Sequence, residues 1–237
     1  MNRRPRYAMW VILPTLWLCS AGTARAQLEQ DFAIWGALFY NAQVYADSPS
    51  PVFWLDVQGR RNEIGTVAIV RPGIGFAFAP WGSVWLGYAW VPVWADESGE
   101  RADEQRVWEQ LLLTYRGDDG VLFQSRTRVE QRFLKGAEGT AHRFRQFVRL
   151  NYRPRKRLPV GLAIWDEVFV GIQGATWAAQ GFDQNRVFGG LAVYAIESLF
   201  RVEVGYLNVF LSRQPDLMDH VLSMNFFVSF RGRQYSR

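Results

Sequence analysis

The sequence predicts an all-β protein, a single transmembrane antiparallel β-barrel of about 12 strands (10–12). Three observations carry that expectation. The chain opens on a secretory leader, and beyond Gln27 it has no run of 18 apolar residues that could cross a membrane as a helix. What recurs instead is a segment of roughly ten to fourteen residues in which apolar and polar side chains alternate with period two.

The leader covers 1–26. Arg3, Arg4 and Arg6 precede an apolar run from Ala8 to Leu18, and Ala24-Arg25-Ala26 gives a small-residue cleavage exit. Leu16-Trp17-Leu18 is too bulky to make Cys19 the lipidated cysteine of a lipoprotein. The leader also distorts the composition. The 237-residue chain carries +5, but without the leader 23 cationic residues face 22 acidic ones and no cysteine remains. Bulk basicity therefore gives no support to nucleic-acid binding. A disulfide framework or a cysteine-ligated metal is excluded from the mature 27–237 domain.

The alternation is plainest in the second half. Phe123, Ser125, Thr127 and Val129 share one face, and Arg126, Arg128, Glu130 and Arg132 the other. Phe144, Val148, Leu150 and Tyr152 then oppose Arg143, Arg145 and Arg149; Val202, Val204 and Tyr206 oppose Arg201 and Glu203. The last segment sets Leu222, Met224, Phe226, Val228 and Phe230 against Ser223, Asn225 and Ser229. A soluble sandwich would turn the apolar face inward, whereas an outer-membrane barrel turns it to lipid and lines its interior with the polar face. Segment length, export, and aromatics at segment ends (Trp81, Trp85, Trp90, Trp94, Tyr115, Phe133, Tyr152) favour the barrel. So does a terminal strand ending on Phe230, the form of signal that barrel-assembly machinery reads.

Strands are expected at 32–44, 52–60, 64–79, 82–94, 104–117, 121–134, 141–153, 159–173, 184–197, 199–212 and 218–230. Their connections are expected to alternate, short on the periplasmic side and long outside. These are eleven segments where a bacterial barrel should have an even number, so a twelfth is expected within 27–60. Gly73, Gly75 and Ala77, with Gly87 and Ala89, put small residues on one face, which would make room for Arg side chains from across the lumen. Asp166 falls on the lipid face if Glu167 points inward, so a bulge is expected near Trp165-Asp166. The basic turn Arg153-Pro154-Arg155-Lys156-Arg157 would meet anionic headgroups.

The residues of 105–230 resemble the outer-membrane barrel family catalogued as domain of unknown function 2490. The resemblance rests on Arg126-Thr127-Arg128-Val129-Glu130-Gln131-Arg132-Phe133, the Arg-rich strand His142 to Tyr152, and Asp166-Glu167-Val168-Phe169-Val170. It continues through Phe182-Asp183-Gln184-Asn185-Arg186, Gly205-Tyr206-Leu207-Asn208 and His220 to Phe230. Residues 27–60 match poorly, and Gln105-Arg106 stands where a His-Arg pair is expected. The resemblance implies an envelope location and a barrel, and no activity.

For the interior, the candidate lining residues are Arg126, Arg128, Glu130, Arg132, Arg143, Arg145, Arg149, Glu167, Arg186 and Glu203. Pairing 121–134 with 141–153 so that opposite numbers sum to about 275 sets Glu130 against Arg145, Arg132 against Arg143 and Arg126 against Arg149. One acid among these arginines leaves a local excess of positive charge. It is met either by Glu167 and Glu203 reaching across, which makes a structural network, or by a small anionic solute. Asp183 and Asn185 are expected to supply turn hydrogen bonds at a loop-to-strand junction, and Arg186 to pair with Glu167.

An enzyme is the alternative: a lipase- or deacylase-type outer-membrane protein needs a Ser and a His in hydrogen-bond reach. With two histidines in the chain, the one candidate couple is His220 and Ser223, and these alternate onto opposite faces. No nucleophile elbow, zinc pattern or phosphate loop is present, and no cofactor or metal is implied. Gly73-Ile74-Gly75 and Gly189-Gly190 sit inside strands. The expected protein is a non-enzymatic outer-membrane barrel, structural or a narrow channel or binding barrel for small anionic solutes. Its expected partners are outer-membrane lipids, lipopolysaccharide and the assembly machinery.

Overall fold

A computed structural model describes residues 28–63, 65–154, 158–196 and 199–232. The leader and its cleavage site lie outside them. Period-two alternation folds as expected into long strands: β1 (Leu28–Gln43), β2 (Ser50–Arg61), β3 (Gly65–Ala79), β4 (Gly82–Ala95), β5 (Arg101–Arg116) and β6 (Val121–Leu134). β7 (Ala141–Tyr152), β8 (Val160–Gln173), β9 (Gly181–Ile196), β10 (Phe200–Leu211) and β11 (Asp216–Arg231) complete the order. Each strand pairs with its neighbours in sequence, and β1 pairs with β11, closing the barrel.

The closure falls within the expected 10–12 strands but without the twelfth expected in 27–60. Residues 28–61 hold two strands and no third, so the barrel has eleven strands among the described residues. An odd up-and-down meander forces its first and last strands to run the same way. β1 and β11 are accordingly parallel, in register from Leu28↔Asp216 to Gln43↔Arg231. A parallel ladder satisfies every backbone N–H and C=O, at slightly lower stability per residue than an antiparallel one, so parity is no barrier to closure.

The β2–β3, β4–β5, β6–β7, β8–β9 and β10–β11 junctions lie at one end, here the upper end, together with Leu28. The β1–β2, β3–β4, β5–β6, β7–β8 and β9–β10 junctions lie at the lower end with Arg231. The expected alternation of short and long connections is weak, because β5, β9 and β11 begin two or three residues earlier than anticipated and consume the longer loops.

Faces sort as the alternation requires. Phe32, Ile34, Ile74, Leu86, Leu162, Ile164, Leu191, Leu222 and Phe230 stand exposed on the outer surface, while Ala33, Ile69, Ala163, Phe188 and Leu207 are buried inside. Trp81, Trp90, Trp94, Tyr115, Phe133 and Tyr152 are on the outside as anticipated, but Trp85 is turned inward and buried. Inside, Phe188, Leu207, Val209 and Val221 form one apolar wall, and Ile69, Trp85, Val91 and Trp108 another.

Two further expectations are corrected. The small residues of β3 and β4 make room for indoles: a Cβ on Gly73 or Gly87 would fall 2.6 or 2.2 Å from the Trp108 ring, and one on Gly75 2.7 Å from Trp85. The strand is also regular at Asp166, which pairs with Val148 and Val187; the irregularities fall instead at His142/Arg143 and Phe169/Val170. Alternation in the regular strand keeps Asp166 on the outer face, where Asn185 Nδ2 donates to its Oδ2 at 3.0 Å and offsets part of the cost of leaving it there.

Candidate functional site

All ten residues predicted to line the interior do so, but their partners differ from those read off the sequence. β6 and β7 pair with opposite numbers summing to 273, so Glu130 faces Arg143, Arg128 faces Arg145 and Arg126 faces Phe147. The turn closes earlier than supposed: Gly136 takes a positive φ of 83° and the Ala137 N–H donates to the Leu134 carbonyl at 3.1 Å. A slip of two residues keeps every side chain on its own face and changes only its neighbours. Faces were therefore legible from the alternation, and partners were not.

The charges form a shared network. Glu130 accepts from Arg143 Nη2 at 2.6 Å and Arg145 Nη1 at 2.6 Å. Arg145 also reaches Glu167 at 2.7 Å, and Glu167 takes Arg126 at 2.6 Å. At the upper end Arg143 continues to Asp183 at 3.4 Å, whose other oxygen holds Arg213 at 2.9 Å. Glu104 binds both Arg106 (2.7 Å) and Arg132 (2.5 Å). Towards the lower end Glu203 takes Arg149 at 3.1 Å, Arg201 at 3.2 Å and the Asn151 amide at 3.0 Å. Glu167 and Glu203 thus supply the counter-charges the sequence suggested, and Asp183 acts as an ion-pair partner rather than a turn residue.

Aromatic faces hold the guanidinium planes. Trp108 is fully buried, its Nε1 donating to the Tyr88 carbonyl at 3.2 Å, and Arg128 stacks 4.3 Å from its ring centroid. Phe169 carries Arg145 at 4.5 Å and Arg186 at 4.4 Å, and Phe227 carries Arg201 at 4.3 Å. Arginine suits this role because its planar cation is weakly hydrated and stacks. A buried guanidinium without such contacts would cost several kcal/mol in desolvation.

Three arginines hydrogen-bond to glutamine rather than to a carboxylate. Arg128 donates from Nε (3.0 Å) and Nη2 (2.6 Å) to the Gln110 side-chain oxygen, with Glu130 no nearer than 3.7 Å. Arg60 donates to Gln58 at 2.6 Å and Arg186 to Gln184 at 3.0 Å. The expected Arg186–Glu167 pair does not form although the two are cross-strand neighbours: Arg186 donates to Gln184, and Glu167 is held through Oε1 by Arg126 and Arg145. Among the described residues six buried guanidinium nitrogens, Arg128 Nη1 and the Nε of Arg60, Arg71, Arg126, Arg149 and Arg186, have no hydrogen-bond acceptor, while Arg201 Nε meets Glu203 only as an ion-pair contact at 3.2 Å.

Sequence reasoning missed Asp56, which binds Arg71 at 3.1 Å, as well as Glu104, Arg60 and the stacking role of Trp108. Parity on β2 and β5 could have found them, since Asp56, Gln58 and Arg60 share a face, as do Glu104, Arg106, Trp108 and Gln110. The remaining weighed residues separate. His220 lies outside, its Nδ1 2.6 Å from the Tyr206 hydroxyl, while Ser223 is buried inside and accepts from the Asn225 amide at 3.1 Å. Among the described residues no group of three or more His, Cys, Asp or Glu side chains is placed to hold a metal.

The family model described as a protein of unknown function, DUF2490, matches residues 32–219. The chain belongs to this family. The match reaches back through β1 and β2, where the sequence resemblance had been weakest. An uncharacterised protein of Methylorubrum extorquens is 31% identical over 232 residues, spanning 93% of this chain and 97% of that protein. No solved structure matches the chain.

Proposed function

We propose that the protein is an outer-membrane barrel, exported by a cleaved leader, whose interior takes up small anionic solutes by binding rather than by making or breaking bonds. The observation that carries this reading is the set of guanidiniums without a hydrogen bond to a carboxylate: Arg60, Arg128 and Arg186 donate to glutamine oxygens, and six buried guanidinium nitrogens have no hydrogen-bond acceptor among the described residues. Guanidiniums left short of acceptors favour carboxylate or phosphate oxygens, which match their forked geometry. The exposed apolar belt supports contact with membrane lipid and, at one leaflet, lipopolysaccharide. The exposed Phe230 closing β11 supports recognition by barrel-assembly machinery. His220 and Ser223, leaving opposite faces of β11, give no support to an enzyme.

A wide aqueous pore fits poorly, because Arg128, Glu130, Arg145, Glu167 and Glu203 are withdrawn from solvent and fill the interior. Passage, where it occurs, is narrow. The test is conductance of the refolded mature protein in planar bilayers under a salt gradient. The expected result is small, discrete, anion-preferring openings whose reversal potential moves toward zero selectivity in Arg128→Ala. Cation preference, or selectivity indifferent to that substitution in a folded barrel, overturns the reading.

A further inference from the structure

Arg60, Arg186, Asp31 and Asp219 face the interior without an opposite charge in contact, and they share one sector near the upper end. Asp31 and Asp219 are partners across the parallel β1–β11 ladder; Asp219 pairs with Val209, and Val209 with Arg186. Arg186, Asp219 and Asp31 therefore lie on one lateral row of the barrel. Four residues along β1 from Asp31, Trp35 pairs with Arg60 of β2.

Both arginines stack on that indole, the Arg60 guanidinium carbon 4.2 Å and the Arg186 carbon 5.0 Å from a Trp35 ring centroid. Each has one glutamine oxygen as its hydrogen-bond acceptor and a buried Nε with none. The aspartates are the mirror case. Asp31 Oδ1 accepts from the Phe32 N–H at 2.6 Å, and Asp31 Oδ2 and Asp219 Oδ1 are buried with no donor. Asp31, Asp219 and Arg186 are 6%, 7% and 8% exposed, so bulk water does not compensate them. Arg186 is held by Trp35 and Phe169 and does not bond Asp219, although the two groups feel each other electrostatically.

A set of donors without acceptors beside a set of acceptors without donors, held apart by aromatic packing, is completed by a group bearing both signs. We propose that this sector binds a small zwitterion, an amino acid in its simplest form, with the carboxylate on Arg60 and Arg186 and the ammonium on Asp31 and Asp219. A plain anion would satisfy the arginines and confront the aspartates; a plain cation would do the reverse. The inference rests on the interior taking up solutes, and it narrows their class.

The experiment is calorimetric titration of the folded, detergent-solubilised mature barrel with glycine, acetate and methylammonium, with folding checked by heat-modifiable gel mobility. Glycine is expected to bind at least tenfold more tightly than either single-charge probe. Arg186→Gln and Asp219→Asn are each expected to weaken it tenfold or more, with Asp31→Asn as the second acidic variant should Asp219→Asn fail to fold. Acetate binding as tightly as glycine and indifferent to the aspartate variants overturns the zwitterion in favour of a simple anion site. No binding of any probe by a barrel that still conducts anions overturns this site and leaves the general reading standing. Glycine binding in a barrel that does not conduct supports the site and counts only against passage.

Discussion

The charged wall of β5–β8 and the sector of β1, β2, β9 and β11 use the same residue types to opposite ends. On the wall, Glu104, Glu130 and Glu167 each bridge two arginines. Removing any one of these glutamates leaves two guanidiniums each short of a carboxylate. In the sector, Arg60 and Arg186 lean on Trp35 and on amide oxygens, and Asp31 and Asp219 each keep one buried oxygen without a donor. The difference teaches that a lumen rich in Arg and Glu is not uniformly self-satisfied. The bridged wall can hold the barrel's shape, because each of its glutamates is already held by two arginines. The unmatched sector contributes little to that shape and is free to meet something else.

Three substitutions sharpen or break this contrast. The largest effect is expected from Glu130→Ala, which leaves Arg143 and Arg145 each short of a carboxylate and should cost about 3–5 kcal/mol. Urea unfolding in detergent measures it, and a loss below about 1 kcal/mol would mean the wall is not the structural half. Next comes Gly87→Val, which drives a side chain into the Trp108 ring and displaces the platform under Arg128; about 1–3 kcal/mol is expected by the same assay. An unchanged unfolding curve would show that the wall does not depend on close backbone approach at β4. The smallest is Arg186→Gln, expected to change stability by less than about 1 kcal/mol because no carboxylate is left behind. A loss as large as that of Glu130→Ala would erase the distinction between the two regions.

Much of the barrel was legible because alternation is a local property. Arg126, Arg128, Glu130 and Arg132 must point opposite to Phe123, Val129 and Phe133 in any extended strand, whatever lies beside it. All ten predicted lining residues accordingly face inward, and most strand bounds fell within three residues of the structure. Trp85 escaped because its strand is apolar on both faces, which leaves the pattern without a direction. The twelfth strand was expected from a parity rule rather than from residues, and 28–61 has none to give.

What the sequence by itself determined is therefore the succession of strands and the side to which each side chain turns, since both follow from a two-residue repeat along the chain. The tertiary structure alone decided which charge meets which. Arg126 and Glu167 are brought together across two strand pairings, Arg149 and Glu203 across three, and Trp35 receives Arg60 and Arg186 from strands on either side of the closing ladder. Those meetings depend on the register of each hairpin and on closure of the sheet. A two-residue slip changes every partner and leaves the alternation as it was.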